Sequence, residues 1–227
     1  MSIKAVLFDL DNTLTNRSHS IYAYAKSLIH KYQQNLAPDQ LSKILEITNR
    51  IDNGGYPKKE ILTHQSIGAS VAFALLQELT WNRQPNFEVL TRYWFEQFGN
   101  HAVAMEGAEE LLHQLKQEKF KLAIVSNGGH STRLAILDGL GFSQYFDVII
   151  SSETVGVSKP NAGIFLETSR QLGVRPEQCL FVGDHPINDI QGAQNVGMKA
   201  ILMDGFHFTE SYIEHRIKHL SELWNFL

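Results

Sequence analysis

Two acids two positions apart, Asp9 and Asp11, close an apolar run over residues 3–8, and Asn12 and Thr13 follow at once. A carboxylate left unpaired in a poorly hydrated pocket carries a heavy desolvation penalty, so two acids that end a buried strand call for positive charge. Mg2+ would supply it, because this hard cation takes oxygen ligands from one or two carboxylates and keeps positions open for water or a substrate phosphate. The plainer alternative is a polar turn with Asp11 or Thr13 as a cap, since Asp and Asn are ordinary turn residues.

Three more polar motifs follow in order: Ser126-Asn127-Gly128-Gly129, Ser158-Lys159-Pro160, and Gly183-Asp184-His185-Pro186-Ile187-Asn188-Asp189. Each alone reads as a turn or a solvated loop. Together they complement one another for phosphoryl transfer, in which charge on the transferred group must be stabilised and the nucleophile kept in line. Asp9 could attack phosphorus and form an aspartyl-phosphate. Asp11 could protonate the leaving oxygen and later deprotonate the attacking water. Asp184 would complete a Mg2+ site with Asp9 and the Asp11 backbone carbonyl, while Asp189 or Asn188 would orient the metal's ligands and waters. Lys159 would neutralise the nucleophile and the phosphoryl oxygens. Ser126 and the N–H groups of Asn127 and Gly128 would cradle the phosphoryl group, because a glycine-rich turn entering a helix presents donors to an anion.

Such a site needs elements that bring the motifs to one place. Five short apolar runs, over 3–8, 122–125, 148–150, 179–182 and 200–202, are rich in β-branched or aromatic residues. Helical patterns over 109–118, 132–140, 162–172 and 187–196 fall between the later ones, with Gly141, Gly173 and Gly197 as left-handed stops. The alternation predicts βαβ units and a parallel sheet covered by helices on both faces. Every parallel strand points its carboxyl end to one edge, where ligands bind in open α/β sheets, and the polar motifs fall at that edge. Residues 18–99 differ: segments 21–32, 40–51, 69–79 and 89–98 carry helical spacing, with breaks at Pro38, at Asn53-Gly54-Gly55-Tyr56-Pro57 and near Pro85. This is an all-helical insert after the first strand. Residues 209–227 read either as one helix or as a short edge strand followed by a helix.

Composition narrows the function classes. The chain has 227 residues, 43% hydrophobic, a formal net charge of -4 and one cysteine. Cys179 lies in an apolar run and reads as a buried strand residue, and an internal disulfide is excluded. The absence of long Lys or Arg runs argues against a nucleic-acid surface. No stretch approaches the roughly 20 apolar residues that span a bilayer, and the first residues run directly into a strand, so a cytoplasmic protein without a membrane partner is expected.

With these residues in place, the chain resembles the haloacid dehalogenase-like superfamily of hydrolases. The pattern Asp-x-Asp-x-Thr, then Ser or Thr at the second strand, then Lys, then Gly-Asp with a later acid is filled by Asp9, Asp11, Thr13, Ser126, Lys159, Asp184 and Asp189. The resemblance covers residues 2–16 and 106–204. It implies a Rossmann-like core, Mg2+ dependence, an aspartyl-phosphate intermediate and a mobile α-helical cap whose closure shields the intermediate from water. The expected organisation is a core of residues 1–17 and 100–227 with a cap at 18–99. In the dehalogenases of this superfamily the position of Asp11 is not an acid and no metal is used, so an acid here favours phosphate chemistry.

The expected activity is Mg2+-dependent hydrolysis of a small phosphorylated metabolite, with sugar phosphates, phosphoglycolate and nucleoside monophosphates unranked as substrates. A phosphomutase built on the same core residues is the alternative, and a noncatalytic binding protein a further one. In the insert, Tyr56 and Lys59 could meet the substrate from a flexible loop, and Arg17 could face it where the chain leaves the first motif. A solvated turn with Pro57 opening the next helix is the competing reading of that loop. The sequence does not distinguish a monomer from a homodimer.

Overall fold

A computed structural model describes residues 2–207, 209 and 213–227. Six strands, β1 (Ala5–Phe8), β2 (Lys121–Ser126), β3 (Val148–Ser151), β4 (Cys179–Gly183), β5 (Lys199–Met203) and β6 (Arg216–Ile217), form one sheet in the order β3-β2-β1-β4-β5-β6. Every pairing is parallel. Both faces are buried, and the period of two sorts the side chains between them. Val6, Phe8, Leu122, Ile124, Leu180 and Val182 join one apolar cluster, while Ala5, Leu7, Ala123, Val125, Cys179 and Phe181 join the other. This two-sided burial explains why the strands read as continuous apolar runs.

Four helices, α1 (Arg17–Lys31), α2 (Leu41–Asp52), α3 (Ile67–Glu78) and α4 (Phe87–Gln97), stand between β1 and the rest of the sheet. Asn16, Ser66 and Asn86 cap three of them by accepting from His19, Ala69 and Val89 N–H groups. Their apolar faces share the first cluster, where Tyr24 packs edge-on against Trp94 with ring centroids 4.9 Å apart. α5 (Ala108–Gln117), α6 (His130–Gly139), a short α7 (Ser152–Val155) and α8 (Ala162–Leu172) accompany the strands.

Two expectations change. The helix predicted over 187–196 is instead a π-helical turn, Pro186–Gln191, followed by a single α turn, Gly192–Gln194. The wider turn places Asp189 so that its Oδ2 accepts from His185 N–H at 2.9 Å. That carboxyl group lies so close to Gly183 that a Cβ there would meet Asp189 Oδ2 at 2.4 Å. Near the C-terminus, the edge-strand reading holds: β6 pairs with β5, and a 3-10 segment, Leu220–Phe226, follows in place of an α-helix. Residues 210–212 of that stretch lie outside the described residues. Among the described residues, no helix is long and apolar enough to cross a membrane.

Candidate active site

Because all six strands run the same way, Asp9 after β1, Ser126 at the end of β2 and Asp184 after β4 reach one edge of the sheet. The Asp9 N–H donates to Val182 O at 2.9 Å, which fixes the end of β1 against β4. Asn127 sets the lysine loop by a reciprocal pair: Lys159 N–H donates to its Oδ1 at 2.8 Å, and its Nδ2 donates to Lys159 O at 3.2 Å. The Lys159 ammonium thereby stands 2.6 Å from Asp9 Oδ1 and 2.6 Å from Asp189 Oδ1. Those two carboxylates hold its pKa above the ordinary lysine value despite its burial.

Asp9, Asp184 and Asp189 each offer a carboxylate oxygen, and these atoms all lie within 4.8 Å of one another. One ammonium does not balance three buried carboxylates. Burial first, then the neighbouring acids, push Asp9 up to about 7 and Asp184 up to about 8. Asp9 Oδ2 and Asp184 Oδ2 are buried without a hydrogen-bond partner. Closely spaced oxygens that lack donors fit a hard divalent cation, so Asp9 and Asp184 would hold Mg2+, while Asp189, whose oxygens face Lys159 and the His185 N–H, would position the groups around it.

The Asp11 side chain turns to a different neighbourhood. Arg17 Nη1 donates to its Oδ1 at 2.6 Å and Arg133 Nη1 to its Oδ2 at 2.7 Å. Although burial opposes its charge, these two guanidiniums hold Asp11 down to about 2. Arg17 is itself anchored by Asp52, which accepts from its Nε and Nη2 and also from Gly55 N–H. An ionised Asp11 is set to accept a proton.

Other expected residues are placed as follows. Ser126 is buried and accepts from Arg133 Nη1 at 3.2 Å. The Gly128 N–H, expected to face a phosphate, donates to Ser152 Oγ at 2.9 Å. Tyr56 reaches the site, and its hydroxyl donates to Asp184 Oδ1 at 2.8 Å. Lys59, two residues past the proline of the same loop, is exposed and is not brought to the acids or to the cavity beside them. Asn188 is half-buried, and its N–H donates to His185 Nδ1, as does that of Ile187. Nδ1 is therefore the unprotonated nitrogen of this imidazole. Cys179 is a buried strand residue whose thiol is pushed up to about 12 by burial, which leaves no thiolate for chemistry.

Sequence reasoning missed Arg133, Asp52 and His207. Arg133 lies one turn into α6, which begins directly after the Ser126-Asn127-Gly128-Gly129 motif, and that position was the available signal. Asp52 follows the last apolar position of the α2 pattern and carried no signal. His207 packs edge-on to Tyr56 at 4.4 Å between centroids, from a loop whose sequence has no ligand pattern.

Residues 6–203 match the haloacid dehalogenase-like hydrolase family. A glyceraldehyde 3-phosphate phosphatase of Methanopyrus kandleri is 30% identical over 205 residues, covering 88% of this chain and 83% of its own. A phosphoglycolate phosphatase of Aquifex aeolicus is 32% identical over 206 residues, with 88% and 84% covered. Among solved structures, the HAD-hydrolase YfnB of Bacillus subtilis, bound to magnesium, matches with a TM-score of 0.74 and 24% identity over 99% of this chain and 98% of that one. That last likeness concerns the fold alone. By the family match over residues 6–203 and by its curated relatives, this chain belongs to the haloacid dehalogenase-like hydrolases.

Proposed function

We propose that this chain is a Mg2+-dependent phosphatase of small phosphorylated metabolites that works through an aspartyl-phosphate on Asp9. The observation that carries the reading is the state of Asp9: one oxygen is held by Lys159 at 2.6 Å, and the other is buried without a protein donor. The two relatives named as phosphatases support it.

In the first half-reaction an Asp9 oxygen bonds to phosphorus, the bond from phosphorus to the leaving oxygen breaks, and that oxygen takes a proton from Asp11. In the second, water bonds to phosphorus, its proton goes to Asp11, and the Asp9 carboxylate leaves with inorganic phosphate released. Lys159 stabilises Asp9 as nucleophile and leaving group, while Ser126 binds a phosphoryl oxygen. Bound Mg2+ would neutralise charge on the phosphoryl oxygens. The arrangement around Asp11 is set for the second half-reaction, because two guanidiniums keep it ionised. Donation to the leaving oxygen requires one of those contacts to open.

Residues 18–99 act on this reading as a cap over the core of residues 1–17 and 100–227. Its contacts with the site support the assignment: Tyr56 reaches Asp184, and Gly54 O accepts from Asn12 Nδ2 at 2.9 Å. The test is phosphate release from a panel of phosphomonoesters with Mg2+, using Asp9→Asn as the blank. Release that needs both is expected. Metal-independent turnover, or ordinary turnover by Asp9→Asn, would overturn the proposal.

A further inference from the structure

The two oxygens of Asp184 have unlike surroundings. Oδ1 accepts from the Tyr56 hydroxyl at 2.8 Å, while Oδ2 is buried without a partner. Facing Oδ2 is His207 Nε2, at 3.8 Å, too far for a hydrogen bond. That nitrogen is also buried without a partner. The loop after β5 brings it there. Asp204 N–H donates to Ile217 O at 2.8 Å, and Asp204 Oδ1 accepts from Arg216 Nε and Nη2 at 2.9 and 2.6 Å, which fixes where the loop leaves the sheet. Phe206 then lies so close to Gly54 that a Cβ there would overlap its ring. The His207 imidazole is held edge-on to Tyr56 and beside His185, with ring centroids 4.4 Å from each.

Two buried polar atoms that face each other without a hydrogen bond lose the partners each would have in water. A group between them that serves both removes the loss. A hard cation on Asp184 Oδ2 keeps several of its waters, and such a water donates to an acceptor like an unprotonated imidazole nitrogen. We infer that His207 is a positioning residue of the metal site, its Nε2 accepting from a water of the Mg2+ held by Asp9 and Asp184. The inference rests on the Mg2+ dependence proposed above and deepens it. The contact runs through water because, among the described residues, the acids Asp9, Asp184 and Asp189 form the group close enough to share an ion, and His207 is not in it. His185 does not compete for this role with its Nδ1, which accepts from the Ile187 and Asn188 N–H groups. Groups that orient a metal's ligands and waters typically contribute 10- to 100-fold in affinity.

Calorimetric titration of Mg2+, and separately of Mn2+, into the metal-stripped protein tests this without turnover. His207→Phe keeps a ring against Tyr56 but removes the acceptor, and His207→Gln supplies an acceptor on a chain of similar reach. His207→Phe should weaken binding of both metals by about tenfold, and His207→Gln should recover most of that loss. Metal-free thermal midpoints taken alongside should match the wild type; a joint fall in midpoint and affinity would give His207 a packing role and overturn the inference. Wild-type affinity in His207→Phe, or an equal loss in both variants, overturns it too and leaves the acid site standing. So does a loss for Mn2+ that Mg2+ does not share, because an imidazole bound directly favours the transition metal. If the wild type binds neither metal, the Mg2+ reading fails and the inference with it. Should His207→Phe fail to fold, His207→Leu against His207→Gln decides on the same terms.

Discussion

The hydroxyl of Tyr56 donates to Asp184 Oδ1 over 2.8 Å, tying the loop after α2 to the acid after β4. Asp184 Oδ2, by contrast, is buried without a donor. The tyrosine thus orients one oxygen of a proposed Mg2+ ligand and leaves the other for the cation. Removing such an orienting partner typically costs 10- to 100-fold in metal affinity. Tyr56→Phe should therefore raise the Mg2+ concentration for half-maximal turnover by about tenfold, read from a metal titration of phosphate release. An unchanged midpoint would assign Tyr56 to packing alone.

Asp9→Asn separates catalysis from stability. Turnover should fall on the order of 10³-fold or more, as for other nucleophile deletions. The metal-free fold should not weaken at pH 7.5, because the substitution removes one of three crowded carboxylates and Lys159 keeps Asp189 as partner. A thermal midpoint lower by several degrees would show that Asp9 has a structural role not accounted for by its charge.

The acids also set a pH signature. Asp9 is raised to about 7 and Asp184 to about 8 from an ordinary 3.8. A group whose folded pKa is raised stabilises the fold fully below its unfolded value and loses that contribution as pH rises through the folded value. Asp11, lowered to about 2, contributes fully above about 4 and adds no slope at neutral pH. His207, lowered to about 4 by burial and His185, has its slope below pH 6.5. Between pH 6.5 and 8.5 the metal-free protein should therefore lose roughly 3 kcal/mol, or about 8 °C in Tm. Saturating Mg2+ should flatten the curve, as differential scanning calorimetry would show.

Asp52 is fully buried and accepts three hydrogen bonds from Arg17 and a fourth from Gly55 N–H. Asp52→Ala leaves the Arg17 guanidinium half-paired in the interior, and breaking a buried pair from one side costs about 3 kcal/mol or more. Urea unfolding followed by circular dichroism gives the value. A loss below about 1 kcal/mol would place that interaction among weak surface pairs.

Most of the architecture was legible because it rests on local chemistry. The strands are apolar runs since both sheet faces are covered, and the acids, the serine and the lysine stand at strand ends or in the loop between them. The π-helical turn over Pro186–Gln191 was not legible, because helical spacing over 187–196 does not reveal that Asp189 must tuck against Gly183.

The sequence by itself determined which residues were candidates for a cation site and for phosphoryl transfer, since two acids that end a buried strand call for positive charge. It also determined the sheet, through the alternation of apolar runs and helices. Only the tertiary structure decided which partner each charge takes. Arg17 and Arg133 are 116 positions apart yet meet on the two oxygens of Asp11, and Asp52 and Tyr56 come from the helical segment to finish the site. Ion pairing depends on distance and burial in three dimensions, and neither is encoded in the spacing of residues along the chain.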